Sequence, residues 1–180
     1  MLHSGRKPRM RYCGRQICRT GCAPPMNHVV VWSAMRSGST EFAMDIARTY
    51  HLRYADELLN HALSKYNPNL LNTTDTRLVF KLFPMHRVQH LKGKHCIVVL
   101  ERSPALRWCS LLRARETGDW TGHQRRGCTT EPPAWFKRQH RQWMQKAPHD
   151  HLYLTFEEVA LRRAESLDAV KRHCALRALA

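Results

Sequence analysis

A loop of small and hydroxylated residues at positions 33–40 has the composition of an anion-binding turn. It follows the apolar run His28–Trp32 and reads SAMRSGST. A turn between a strand and a helix exposes backbone N–H groups, and the helix dipole favours negative charge there. Gly38 allows close approach of the backbone, and Arg36 adds positive charge. Hydroxyl donors are added by Ser37, Ser39 and Thr40. We therefore predict a phosphate-type anion site here; the alternative is a helix start capped by hydroxyls.

A second candidate follows the apolar run 96–100. Arg102 lies at the end of that run, and Ser110 lies two helical turns later. Ligands of parallel sheets collect beyond the carboxyl ends of the strands. The pair is therefore predicted to clasp a second phosphate, and the alternative is an amphipathic helix with surface arginines.

The loop at 33–40 differs from the G-x-x-x-x-G-K-[ST] loop of ATP and GTP hydrolases. Its first glycine is absent, and no lysine precedes the Ser39–Thr40 pair. An ATP-dependent kinase is therefore a less favoured alternative.

The elements that must position these residues alternate along the chain. Short apolar runs predict strands at 28–32, 78–83, 96–100 and 151–154. Apolar spacing predicts helices after residue 40, at 55–66, at 104–116, from 132 to about 146, and a last one capped by Thr155. Strands that alternate with helices predict an α/β fold in three layers, a parallel sheet with helices on both faces. Residues 28–180 are expected to form one compact domain, preceded by a basic, flexible arm at 1–27.

Charge and cysteine content limit the function classes. The 180 residues carry a formal net charge of +16, which attracts polyanions and leaves a nucleic-acid-binding protein as an alternative. No recognition motif for nucleic acid occurs, so no specific nucleic acid is expected. No apolar stretch is long enough for a membrane span, and residues 1–28 lack the apolar core of a secretory signal. A cytoplasmic protein is therefore expected.

The seven cysteines are odd in number. Together with the expected reducing compartment, this predicts mostly free thiols. Cys13, Cys18 and Cys22 are spaced more widely than the usual zinc pairs, so a zinc site is a less favoured alternative.

Taken together, the two motifs resemble those of sulfotransferases that use 3′-phosphoadenosine 5′-phosphosulfate (PAPS). Arg36–Thr40 resembles their 5′-phosphosulfate loop, and Arg102–Ser110 is similar to their 3′-phosphate motif, an Arg and a Ser eight residues apart. Leu111–Trp120 resembles an extension of carbohydrate and bacterial-type members, and Leu154–Glu158 resembles their late strand–helix junction. The resemblance covers about residues 28–160 and implies a P-loop-like α/β fold.

The resemblance also implies roles for these residues. The amides of 36–40, with Ser39 and Thr40, hold the 5′-phosphosulfate, and Arg36 lies beside its bridging oxygen. Arg102 and Ser110 hold the 3′-phosphate. Residues 125–127 are a weak match to the family's late basic loop.

Sulfuryl transfer needs a base for the acceptor hydroxyl and positive charge around the moving group. Glu57 is the first candidate base, because Asp56-Glu57 resembles a Gly-Glu segment of tyrosylprotein and bacterial sulfotransferases. His86 is the rival base, and Lys81 is a candidate for contact with the sulfuryl group. Basic side chains do the neutralising, so no metal is expected.

The sequence therefore predicts a PAPS-dependent sulfotransferase with a hydroxyl acceptor, favoured as a carbohydrate and, given the charge, an anionic glycan. The alternatives are a degenerate sulfotransferase-like protein that binds nucleotide without turnover and the nucleic-acid-binding protein. The identity of the acceptor and the oligomeric state stay open.

Overall fold

The computed structural model describes residues 11–13, 16–18, 28–60, 67, 70–71, 77–86, 95–119 and 130–176. The strands in these ranges are β1 (Arg11–Cys13), β2 (Gln16–Cys18), β3 (His28–Ser33), β4 (Arg53–Tyr54), β5 (Leu78–Leu82), β6 (His95–Glu101) and β7 (His151–Thr155). The helices are α1 (Ser39–Thr49), α2 (Pro104–Thr117), α3 (Ala134–Gln145), α4 (Phe156–Leu161) and α5 (Arg163–His173).

Five strands form one sheet in the order β4-β5-β3-β6-β7, and every neighbouring pair is parallel. The register joins Val31 to Lys81 on one side and to Val98 on the other. Because the strands are parallel, their carboxyl ends lie along one edge. The loop at 33–40, Arg102 and the start of α4 all follow strands at that edge, so the topology gathers the predicted motifs.

Alternating side chains give the sheet two buried faces. Val29, Val31, Val79 and Val98 pack with α1, α4 and α5. Val30, Trp32, Phe80 and Val99 pack on the other face with Leu58, Leu59 and Met144 of α3. This confirms the predicted parallel α/β fold with helices on both sides of the sheet.

The strand predictions are confirmed within one or two residues. The helices after residue 40, at 104–116 and from 132 also form, although α3 begins at Ala134. The predicted last helix is divided, because α4 ends before Arg162 and α5 begins after it. Thr155 caps α4 as expected: its side chain accepts from the Glu158 N–H, and Glu158 bonds back to the Thr155 N–H.

The predicted helix at 55–66 is wrong at residues 55–60, and its remainder lies outside the described residues. The chain there leaves β4 and stays extended beside β5: the Ala55 N–H donates to Val79 O at 2.8 Å, and the Lys81 N–H donates to Asp56 O at 2.8 Å. Asp56 then turns with φ +49°. The apolar spacing that predicted a helix comes from Leu58 and Leu59, which are buried against the sheet from a turn.

The expectation of free thiols is wrong for at least three cysteines. Cys96 in β6 is bonded to Cys174 at the end of α5, with their Cα atoms 5.2 Å apart, and Cys109 is also in a disulfide. The first pair forms because α5 packs directly over the central strands. The zinc alternative at Cys13, Cys18 and Cys22 lies outside the residues whose side chains are described.

The arm at 1–27 contains β1 and β2, which pair antiparallel. The flexibility of the arm at 1–27 stays a prediction, and its other residues lie outside the described part of the chain. In the described ranges, no helix has the length and apolarity needed to cross a bilayer.

The Cys96–Cys174 bond predicts a stability that depends on reduction. The bond closes a loop with a sequence separation of 78, and such a loop stabilises a fold by about 2–4 kcal/mol. We expect Cys174→Ser to lower the free energy of unfolding by this amount in denaturant titrations. Cys109→Ser breaks the other disulfide and keeps the 96–174 bond, so Cys174→Ser should cost the same amount again in that background. An unchanged free energy of unfolding in Cys174→Ser would contradict this contribution of the 96–174 bond.

Candidate functional site

The loop at 33–40 runs from the end of β3 to the start of α1 through two left-handed residues. Arg36 has φ +66° and Gly38 has φ +78°. Gly38 is the N-cap residue of α1, and the helix start has no side-chain cap. The first N–H groups of α1 are therefore available to an anion, as the sequence predicts.

Gly38 is packed closely under Phe156, the first residue of α4. A Cβ atom at Gly38 would lie 2.6 and 2.7 Å from two carbons of the Phe156 ring. The Arg102 guanidinium stacks on the same ring, with its Cζ 4.3 Å from the ring centroid. The junction Leu154–Glu158 therefore joins the two predicted phosphate motifs through one aromatic ring.

Arg36, Arg102 and Ser110 are also joined by hydrogen bonds. The Arg36 Nε donates to Ser110 Oγ at 3.0 Å, and an Arg102 terminal nitrogen donates to Arg36 O at 3.2 Å. Burial lowers the pKa of both arginines, and the nearby Arg36 charge lowers that of Arg102 further, while Glu157 raises it. Two guanidinium groups thus concentrate positive charge where an anion would stabilise both.

Lys81 belongs to β5, and its side chain is 5% exposed. Strand alternation puts it on the same face as Val79, toward the start of α1. Its Nζ donates to Thr40 Oγ1 at 2.9 Å and to Glu57 Oε1 at 3.3 Å, and it lies 2.9 Å from Asp56 Oδ1. The structure therefore brings Lys81, Thr40 and Glu57 together.

Asp56 is a member of this cluster that the sequence did not single out. Besides its ion pair with Lys81, it accepts a hydrogen bond from Tyr54 OH at 2.8 Å. Burial, followed by that bond to Asp56, raises the pKa of Tyr54. The backbone of Asp56 is left-handed, a conformation that aspartate adopts more readily than most residues.

Glu57 and His86, the two candidate bases, have different surroundings. Glu57 Oε1 contacts Lys81, and its Oε2 accepts from Asn60 Nδ2 at 2.6 Å. His86 closes the turn after β5, since its Nδ1 accepts from the Phe83 N–H at 3.2 Å, and its ring packs against Phe83. Residues 125–127 lie outside the described part of the chain.

Several buried polar atoms at and around the loop have no hydrogen-bond partner within the described residues. Ser37 Oγ and Arg102 Nε are two of them. A buried polar group without a partner costs about 1–3 kcal/mol. Both atoms are donors, so a ligand rich in acceptor oxygens at this loop would remove the cost. The residues present therefore fit a phosphate or sulfate group.

Sequence reasoning missed a buried pair behind the loop. The Arg107 Nε donates to Met35 O at 2.9 Å, and Arg107 NH1 lies 2.6 Å from His140 Nδ1. His140 and His28 are both buried. The signal that was available is an apolar neighbourhood: His140 lies one helical turn from Phe136, and both face inward from α3.

Comparison with known proteins gives the fold. No protein-family model and no curated protein matches the sequence. The crystal structure of mouse sulfotransferase SULT7A1 complexed with PAP matches with a TM-score of 0.58 and 16% identity, over 84% of this chain and 59% of that chain. A gluconokinase from Sinorhizobium meliloti 1021 matches with a TM-score of 0.50 and 13% identity, over 84% of this chain and 93% of that chain.

The fold is thus the P-loop-like α/β fold, which the chain shares with a sulfotransferase and with a small-molecule kinase. This confirms the fold that the motifs imply. The chain spans less than two thirds of the length of the sulfotransferase it resembles. Because one fold hosts several chemistries, the choice between them depends on the side chains of the site.

The packing at Gly38 predicts a sharp effect of a single methyl group. Gly38→Ala adds left-handed strain and a clash with Phe156, each worth about 1–3 kcal/mol. We expect a loss of about 2–4 kcal/mol in the free energy of unfolding, measured in denaturant. Gly118→Ala is the control, because Gly118 has φ +69° and nothing within 4 Å of the added atom. Equal losses in both variants would mean that Phe156 does not restrict the loop.

Proposed function

We propose that this protein transfers a sulfuryl group from PAPS to an acceptor hydroxyl. The observation that carries the proposal is the contact of Lys81 with both Thr40 and Glu57. A cation at the end of the anion loop and a carboxylate beside it are the two groups that this transfer needs. The backbone fold and the two phosphate motifs support the same assignment.

The donor nucleotide would be held by residues of both motifs. The amides of 36–40 and three hydroxyl side chains would take the 5′-phosphosulfate, and Arg36 would neutralise the charge at its bridging oxygen. Arg102 and Ser110, which both bond to Arg36 or its carbonyl, would take the 3′-phosphate. The three hydroxyl side chains are those of Ser37, Ser39 and Thr40.

Glu57 is the base in this proposal. Its carboxylate would accept the proton of the acceptor hydroxyl, while PAPS supplies the sulfuryl group. Lys81 pairs with Glu57, and its ammonium faces the loop through Thr40 Oγ1. Asn60 holds the second carboxylate oxygen, which fixes the plane of the group.

The position of Lys81 favours sulfuryl transfer over ATP-dependent phosphoryl transfer. In P-loop kinases a lysine within the loop contacts the phosphates, and the Ser or Thr after it binds magnesium. Here the residue before Ser39 is Gly38, covered by Phe156, and the hydroxyl of Thr40 accepts from a lysine ammonium. The positive charge at the loop is therefore supplied by a side chain from the neighbouring strand.

The acceptor is proposed to be a carbohydrate hydroxyl. The resemblance of Leu111–Trp120 to the extension of carbohydrate members supports this class. The formal net charge of +16 adds attraction for an anionic glycan.

The first test of this function is binding of the product nucleotide, adenosine 3′,5′-bisphosphate (PAP). Arg102→Ala removes charge-assisted hydrogen bonds worth about 1.5–3 kcal/mol each, so PAP affinity should fall about 10–100-fold in calorimetric titration. Arg115→Ala, an exposed arginine of the same helix, should bind like the unchanged protein. Full affinity in Arg102→Ala would remove the assigned 3′-phosphate site.

The second test separates binding from chemistry. Glu57→Gln keeps the shape of the side chain but removes the proton acceptor, so kcat should fall about 10²–10⁴-fold. PAP affinity should stay within about twofold, and so should the activity of Glu116→Gln, an exposed carboxylate at the end of α2. Full turnover in Glu57→Gln would move the base to His86 or elsewhere. Sulfate transfer to no acceptor, with PAP bound, would favour the degenerate nucleotide-binding alternative.

A further inference from the structure

A chain of polar side-chain contacts runs from the exposed Tyr153 of β7, through the buried His140 and Arg107, to the loop at 33–40. Tyr153 donates to Glu101 Oε2, and Glu101 Oε1 lies 2.7 Å from His140 Nε2. His140 Nδ1 lies 2.6 Å from Arg107, whose Nε donates to Met35 O. Four elements thus meet behind the loop through one continuous set of polar contacts.

The chemistry of Arg107 fixes the state of His140. A guanidinium only donates hydrogen bonds, so His140 Nδ1 must accept and carry no proton. The Nε2 atom then carries the hydrogen and donates it to the Glu101 carboxylate. In this geometry His140 is the Nε2–H tautomer, which accepts from Arg107 and donates to Glu101.

Burial of the Arg107 guanidinium has a free-energy cost. Its side chain is 2% exposed, and burial lowers its pKa to about 10, opposed by the charge of Glu101 and reinforced by that of Arg102. The guanidinium also stacks against Phe136 and Trp143, 5.0 and 5.3 Å from their ring centroids. Because the Arg107 guanidinium packs on two rings, its orientation is restricted, and in that orientation Nε donates to Met35 O.

The carbonyl to which Arg107 donates lies directly before a residue with a left-handed backbone. Met35 O belongs to the peptide bond that enters Arg36, and Arg36 has φ +66°. An arginine is rarely left-handed, and the conformation costs about 1–2 kcal/mol. A buried donor at the preceding carbonyl is the kind of contact that maintains such a turn.

We propose that Arg107 is a positioning residue that sets the shape of the loop at 33–40, with His140 as the acceptor that orients it. The effect on nucleotide rests on the proposed function, since Arg107 acts on the loop and not on the ligand. Arg107 lies on the buried side of α2, and Arg102 lies just before the start of that helix. The two arginines thus have separate roles, one toward the ligand and one toward the loop backbone.

The test uses paired substitutions at two positions. Arg107→Lys keeps the charge, but one ammonium cannot reach both Met35 O and His140 Nδ1. His140→Gln retains an acceptor for Arg107 and a donor for Glu101 in one amide, and His140→Leu retains neither. Arg115→Lys, an exposed change in the same helix, is the control.

Two readouts keep this proposal separate from the proposed function. Backbone amide resonances of residues 35–40, measured without ligand, should shift in Arg107→Lys and His140→Leu, and stay near their original positions in His140→Gln and Arg115→Lys. The ring nitrogens of His140 should show the neutral Nε2–H tautomer. PAP affinity should fall about tenfold in the two disruptive variants, the size expected for one charged hydrogen bond.

Each outcome decides one of the two proposals. Unchanged loop resonances in Arg107→Lys, or equal behaviour of His140→Gln and His140→Leu, would overturn the positioning role. A protonated His140 would overturn it as well. Failure of the unchanged protein to bind PAP, with the loop resonances shifting as expected, would instead overturn the nucleotide assignment and leave the positioning role in place.

Discussion

The arrangement of the site depends on one constraint, which is that the ammonium of Lys81 is buried in the sheet. A buried charge is tolerated only when it is paired and hydrogen-bonded. Three oxygens, from Thr40, Asp56 and Glu57, surround the Nζ atom. The chain between β4 and the following turn therefore stays beside β5 rather than coiling into a helix. The same contacts place a carboxylate and a hydroxyl at the carboxyl edge of the sheet, so a folding requirement also assembles the candidate site.

Three buried or half-buried arginines lie at that edge, and their charges are paired in different ways. Arg107 reaches the carboxylate of Glu101 through a neutral histidine and packs between two aromatic rings. Arg36 and Arg102 bond to a hydroxyl and a backbone carbonyl, and the Arg102 Nε has no acceptor among the described residues. Arg107 is thus paired within the fold, whereas Arg102 keeps an N–H donor for which the described residues supply no acceptor. A charged donor of this kind beside the loop is the electrostatic feature expected of an anion site.

The strands and the anion loop could be predicted from the sequence. The buried strands are continuous β-branched runs, and the loop combines glycine, hydroxyl and arginine residues as an anion site requires. The segment 55–60 was not readable: Leu58 and Leu59 mimic a helical spacing, and only pairing with β5 overrides it. His140 and Arg107 were missed because a partner 33 residues away leaves no local pattern. The odd number of cysteines did not predict the disulfides, because the Cys96–Cys174 bond depends on how the end of α5 packs against β6. Disulfides persist mainly in oxidising compartments, so the bonded cysteines do not fit the reducing compartment from which free thiols were expected.

Two left-handed residues that are not glycine, Arg36 and Asp56, belong to the segments that form the site. Strain of this kind persists only where surrounding contacts over-determine the backbone. At Asp56 the contacts are Tyr54 and Lys81; at Arg36 they are Ser110, the Arg102 bond to its carbonyl, and Arg107 on the preceding carbonyl. Each turn is therefore held by at least one side chain from an element distant in sequence. A site held in this way needs little rearrangement when an anion enters, and such preorganisation is the main source of electrostatic stabilisation in group transfer.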